Sequence, residues 1–523
     1  MTLWGMLATE SGQVGMFDAA QLVRPLPEGS FFALLAEHGD RIVRDEDFAE
    51  CYSRRMGRPS IRPSLLAKVM LLQHRTGLSD EAAMEAVAWD LRWKVALGLE
   101  VDHQGWHPTS LTKFRARLLL HGKEHLALEN TLRLAEEIGL LDGTAEQIID
   151  STPMLGAAAT QDTVRLVRHG VKKLIDAVAR IDCAAGVMLD DGLEFDYAKP
   201  AEKPDCRWRE KAARERMLTR VAQDAERALQ AVEQAGGLLD DSDVAGAHRL
   251  LRELIGQDFD VGDDGLLRLH RGTASGRVIS TVDVEMRHGR KSQHQRFDGY
   301  KLSATATNTD TPLITAVDVA PASEQDGPQA KQLVDAQPRS RRPDRLLGDT
   351  AYGTGPVRAE LAQRDVEVLA PVPEGHGKEG RLAKRDFHID LAAGTVTCPA
   401  GHTTAIRTEP SGQRRAAFAK ARCSICPLRG RCVAPARGTR QVLIAPDEKF
   451  LIAARQALVD PHTAEHLRRT RPRIERLLGL LAVRYGARKS RYFGRAKARL
   501  QAAWAAALVN LNPIARHLAA QTA

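Results

Sequence analysis

No stretch of this 523-residue chain approaches the roughly 18 consecutive apolar residues that a membrane-spanning helix needs. The opening stretch, Met1 to Leu22, mixes polar and apolar residues without a basic region followed by an apolar core. No secretory leader is therefore expected, and the cytoplasm is the default compartment. The chain also lacks internal repeats and long low-complexity tracts. Cysteine is sparse: of seven, Cys51, Cys183 and Cys206 stand alone and read as plain interior or surface thiols. Disulfides are not expected in a reducing cytoplasm. What remains is an ordinary globular composition, 43% hydrophobic and 27% charged. Its length suits roughly two to four domains with ample cores.

Charge is present in both signs but unevenly placed. Lys and Arg number 75 against 67 Asp and Glu, a net of +8. From Pro461 to Ala523 there are 13 Lys and Arg against only Glu465 and Glu475, a local net of +11, so the rest of the chain is about −3. Such a concentration points to a polyanion held against that region. Arg488, Lys489 and Arg491 are the expected phosphate contacts.

The most informative segment is Leu346-Leu347-Gly348-Asp349-Thr350-Ala351-Tyr352-Gly353. A short apolar run stops at a carboxylate, and glycines and a tyrosine lead into a helical pattern from Pro356 to Arg364. An α/β fold presents a metal-binding aspartate at a strand end in this way. Asp150, closing Gln147-Ile148-Ile149, predicts a second strand-end aspartate, and Glu475 sits in the apolar helical run Arg473 to Leu478. With 67 acidic residues, spacing alone proves nothing, and context carries the reading. Two strand-end aspartates and one helix glutamate suggest a two-metal phosphoryl-transfer site, with Mg²⁺ as the hard ion that prefers oxygen ligands. Arg471, one turn before Glu475, shares its face and suits a phosphate.

Residues 56–140 read as a helical DNA-binding module after an N-terminal arm, 1–55. Pro63-Ser64 opens a helix over Leu65 to Arg75 that ends at Gly77, and Ser79 caps a second over Asp80 to Leu91. A third starts after Thr109-Ser110, with Leu111, Phe114 and Leu118 on one face and Lys113, Arg115 and Arg117 on the other. That pattern suits a helix reading a DNA groove. A helical insertion is expected over 157–275. Tyr300, Leu302, Ala304 and Ala306 then alternate with polar residues as a strand, and Asn308 to Pro312 turns into a second strand, Leu313 to Val319. A helix near Gln329 to Ala336, the Asp349 strand, another helix and a strand over Val366 to Val372 follow. This order predicts an α/β fold, a ribonuclease-H-like mixed sheet over 145–375 and 440–520.

The other four cysteines fall in one segment, 385–438: Cys398-Pro-Ala-Gly-His402, Cys423-Ser-Ile-Cys426, then Cys432. Two ligand clusters about two dozen residues apart resemble a small zinc ribbon. Cys398, Cys423, Cys426 and Cys432 are the expected zinc ligands, with His402 in reserve.

Taken together, Ile149-Asp150-Ser-Thr-Pro, Phe297-Asp-Gly-Tyr-Lys301, Gly348 to Gly353, Cys398 to Cys432, Arg471-Pro-Arg-Ile-Glu475, Gly486 to Gly494 and Asn510-Leu-Asn512 resemble a bacterial insertion-sequence transposase of the DDE class. The likeness is to the group with a helical and a Cys-rich insert, and it spans about Gly57 to Arg516. It implies Asp150, Asp349 and Glu475 as catalytic residues holding two Mg²⁺ (or Mn²⁺) ions, and Lys301 among the DNA contacts. It also implies cleavage at the element's terminal inverted repeats, transfer into target DNA, and a homodimer on double-stranded DNA. The superfamily's signature tyrosine and lysine positions hold Arg468 and Ala482, which leaves Arg484 or Lys489 for the lysine's role. Two alternatives are a nuclease of the same fold that cuts without joining, and a non-catalytic DNA-binding protein.

Overall fold

The computed structural model describes residues 17–522 apart from 23–24, 28, 54–58, 142–144, 264, 292–293, 374–379 and 435–436. Most of the Met1–Leu22 stretch read for a leader thus lies outside the described residues. Among those described, no helix is long and apolar enough to cross a membrane.

Local capping sets the N-terminal helices. Ser30 accepts from the Ala33 amide to start Phe31–Ile42. Pro63 stands in the first turn of Pro63–Thr76, which Gly77 closes in the left-handed conformation. The expected helix over Asp80 to Leu91 is instead two, Asp80–Trp89 and Leu91–Leu97. The break falls at Asp90, whose extended backbone ends the first helix while its carboxylate caps the second through the Arg92 amide. Thr109–Leu120 and Leu126–Glu137 complete the set.

The central sheet has six strands: β1 Glu146–Leu155, β2 Arg287–Arg290, β3 Arg296–Thr307, β4 Ile314–Pro321, β5 Arg345–Leu347 and β6 Glu367–Leu369. Along the sheet they run β2, β3, β1, β5, β6, and β4 lies beside β2 on the outer side of β3. β1 pairs antiparallel with β3 and parallel with β5. The β3–β4 hairpin and the parallel β5–β6 pair follow the expected order.

One expectation needs correction. Asp150 is not at a strand end, because β1 continues to Leu155, paired to Gly299 of β3. Its pairing with β5, however, stops at Ile148. Among the described residues no strand pairs with that edge of β1 from Ile149 to Met154, which explains how Pro153, without an amide donor, fits inside a strand. At Leu155 the edge is taken up again by the Arg488–Ser490 segment.

A helical insertion follows β1: Thr163–Ile181, Cys183–Asp191, Lys211–Gln234 and Ser242–Asp258 around their own apolar core. The cysteine-bearing segment forms a five-stranded antiparallel sheet, also with its own core. The largest core is shared. It joins Leu34, Met70 and Phe114 of the N-terminal helices to Leu302 and Val317 of the sheet and to Trp504 and Leu508 of the last helix, Arg495–Thr522.

Candidate active site

The β1–β5 register brings the two aspartates together. Ile148 lies opposite Leu347 in a parallel pair, so Asp150 and Asp349, each two residues further on, stand level where the strands part. Neighbouring strands are about 4.8 Å apart. Gly348 makes this approach possible: a Cβ there would meet the Tyr352 ring at 2.9 Å and the Ile149 side chain at 3.1 Å. The loop after Asp349 is folded on itself. The Asp349 carboxylate accepts from the Ala351 amide at 2.8 Å, and its carbonyl accepts from the Tyr352 amide. Gly353 is required, since a Cβ would sit 1.8 Å from the Pro371 carbonyl oxygen. Beneath the loop, Arg358 is buried and donates to the carbonyls of Gly353, Val368 and Ala370. Burial lowers its pKa to about 10.

Three carboxylates and one guanidinium meet electrostatically at this edge. Burial raises the Asp150 pKa to about 6, the Ser151 amide and Arg471 oppose the rise, and the charges of Asp349 and Glu475 add to it. Glu475 comes from the Pro461–Gly479 helix, whose Ile474, Leu477 and Leu478 pack into the shared core. Its half-exposed carboxylate lies 3.7 Å from Arg471, one turn away. This helix begins at Pro461, capped by Asp460, so Pro472 is interior to it rather than in its first turn. The missing amide leaves the Arg468 carbonyl without its helical donor. Tyr352 is buried beside the aspartates. Burial first, then Asp326, Asp150 and Asp349, push its phenol well above the usual range, with Ser151 opposing.

The structure distributes the expected DNA contacts unevenly. Arg488, Lys489 and Lys113 are exposed. Arg115, expected on the free face of its helix, is buried and ion-paired with Asp80 at 2.5 Å, with its guanidinium over the Tyr492 ring. Arg117 lies over the Tyr52 ring. Lys301 pairs with Asp326 at 2.9 Å, and Arg491 donates to the Leu78 carbonyl. Sequence reading missed Arg358 and Asp283. The Asp283 carboxylate accepts from the Tyr300 hydroxyl at 2.6 Å and the Gly494 amide at 3.1 Å. Only the recurrence of tyrosine and glycine in the motifs hinted at such ties.

Cys398, Cys423, Cys426 and Cys432 are drawn to one corner of the five-stranded sheet. Burial raises the Cys432 thiol, Arg440 opposes, and the other three thiols add to the rise. Among the described residues, no group of three or more His, Cys, Asp or Glu side chains is close enough to hold a metal ion as it stands, here or at the aspartate edge. The chemistry of both donor sets fits nonetheless: hard carboxylate oxygens at one, soft thiols at the other.

Two family models match the chain, a transposase domain (DUF772) over residues 21–117 and a transposase DDE domain over residues 272–511. The chain belongs to the DDE transposases. Asp349 and Glu475 fall within the second match, and Asp150 precedes it. No curated protein and no solved structure matches. A DDE transposase is a DNA-processing enzyme, and the mixed sheet and helical N-terminal region are consistent with the ribonuclease-H-like fold of the family.

Proposed function

We propose that this transposase cuts DNA at the ends of an insertion sequence and joins the freed ends to target DNA at the edge formed by Asp150, Asp349 and Glu475. The observation that carries this reading is the strand register: it sets two aspartates from separate strands level, with Glu475 near enough to disturb Asp150. Burial, with the charges of Asp349 and Glu475 adding, disfavours the ionised form of Asp150 where the three carboxylates gather. They suit a pair of Mg²⁺ ions, which when bound would activate water and stabilise the leaving oxygen.

The remaining work falls to the chain's own residues. Arg471 neutralises and orients a phosphate. The Gly348–Gly353 loop, clamped by Arg358, fixes Asp349. Attack by water in line with the scissile bond breaks the P–O3′ bond, and the departing oxygen takes up a proton. The free 3′-hydroxyl then attacks a target phosphodiester, releasing one new 3′-hydroxyl for each bond formed. Two ends require two such edges, so the reading includes a homodimer on double-stranded DNA, acting in the cytoplasm at the nucleoid. The four clustered thiols are read as a zinc site that organises the insert.

Asp150→Ala, Asp349→Ala and Glu475→Gln are each expected to abolish cleavage in Mg²⁺ while leaving end binding nearly intact, since binding rests on phosphate and base contacts elsewhere. Cleavage at near wild-type rate by any one variant removes that residue from the site.

A further inference from the structure

A cleft of about 1280 Å³ opens beside the loop that follows Asp349. Thr350, Ala351 and Thr354 of that loop form one end, the 322–327 turn after β4 forms the floor, and the β2–β3 hairpin forms a wall. The hairpin is seated rigidly. Gly289 packs so closely that a Cβ would lie 2.7 Å from the Ala322 methyl and 2.8 Å from its carbonyl oxygen.

On this wall Arg290 and Arg296 are paired directly across the two strands. Both line the cleft and both are exposed. Among the described residues neither makes an ion pair or a side-chain hydrogen bond. Like charges directly opposite one another weaken a strand pair, so this arrangement costs stability unless an anion lies between them. The cleft's carboxylates do not supply it. Asp258 is held by Arg277 at 2.6 Å, Asp326 by Lys301 at 2.9 Å, and Asp298 by His288 at 2.5 Å. Glu324 accepts from Gln329 at 3.1 Å. The two arginines are thus cations without a carboxylate partner, in a cleft lined by five Lys and Arg against four Asp and Glu and bordered by the loop that follows Asp349.

We infer that Arg290 and Arg296 clamp a backbone phosphate of the DNA strand that leads away from the scissile phosphate through this cleft. The inference rests on the reading of the Asp150–Asp349 edge as the cleavage point. A pair of guanidiniums, each a planar fork of donors, suits phosphate oxygens better than point charges would.

The test uses the full chain without divalent metal, so that nothing is cut. The probe is a fluorescently labelled duplex carrying a single-stranded tail beyond the cleavage point, compared with the blunt duplex. Arg290→Gln with Arg296→Gln should flatten the dependence of log K on log salt by about 0.7 on the tailed probe, as loss of one phosphate contact on a single strand requires. The same double variant should remove protection of the tail in a hydroxyl-radical footprint, while the blunt duplex changes less. Arg290→Lys with Arg296→Lys should keep most of the slope. As a control, the exposed Arg214 and Arg249 of the helical insertion, changed together to Gln, should leave slope and footprint as they were. An unchanged slope and footprint in the Arg290/Arg296 variant, or equal losses from both pairs, overturns the clamp. Because no step is catalysed, failure of the aspartate reading would show separately, as cleavage that survives Asp150→Ala.

Discussion

His74 shows how far a single side chain's environment can depart from its sequence setting. Its ring stacks on Trp504, centroids 6.3 Å apart, joining the Pro63–Thr76 helix to the last helix of the chain. It is wholly buried, and its pKa falls to about 3 from 6.5, chiefly through burial and then through Arg491 and Arg115, with Asp80 opposing. A histidine whose pKa is lower folded than unfolded favours unfolding once the unfolded form takes up a proton. Its contribution is complete above pH 6.5 and is lost as pH falls towards 3. Across that window the stability should decline by on the order of 1.4 kcal/mol per pH unit. Urea unfolding at stepped pH should show this slope, and His74→Gln should remove much of it. An identical acid limb in the variant refutes the assignment. In the sequence, His74 was only a polar residue near a helix end, since its partner lies more than four hundred positions away. Arg115 was illegible for the same reason: its helix's apolar period exposes it, and Asp80 on another helix takes it in. Asp349 was legible because glycines and a carboxylate at a strand end leave a local trace.

Among the elements, the β3–β4 hairpin and the helix–strand alternation around Asp349 were readable from period and turn chemistry, whereas the extent of β1 was not. Nothing local reveals that a strand loses one neighbour at Ile148 and continues on the other. The same contrast in surroundings separates two glycines. Gly353→Ala should drive the 349–353 loop away from Pro371, costing about 1–3 kcal/mol in overpacking and cleavage activity with it. Gly479, at the end of the Glu475 helix, faces open space. Gly479→Ala should be neutral or stabilising by up to about 1 kcal/mol. Thermal melts and cleavage assays on both check the pair, and a benign Gly353→Ala would mean the loop is not fixed as described. For the cysteine-bearing sheet, elemental analysis should find one zinc per chain, lost in Cys423→Ser with Cys426→Ser. A small ribbon would unfold without its ion. This sheet carries its own core of Phe387, Val396, Phe418 and Val442, so its strands should persist in the variant while the 419–434 segment loosens. Protein prepared in metal-free buffer and found without zinc rejects the site.

At the scale of the molecule, the N-terminal helices and the catalytic sheet are not separately cored. The last helix runs between them, and its buried Asn510 hydrogen-bonds Ile314 of β4 through both main-chain groups and Thr131 of the N-terminal helices. Arg491, just before that helix, reaches back to Leu78. Segment order in the sequence suggested modules; the shared core comes from pairings too distant to leave a periodic signal. A body continuous in this way behaves as a gauge. If the N-terminal helices grip the element's end, the protein sets the span from grip to cut, and the DNA cannot adjust it by bending a linker. Inserting about half a helical turn, roughly 5 base pairs, between the terminal repeat and the cleavage point should rotate the scissile phosphate away from Asp150 and Asp349. Mapping the cut by primer extension should show cleavage lost, or moved to keep its distance from the repeat. A cut that stays with its original bond, at full rate, means that grip and blade move independently.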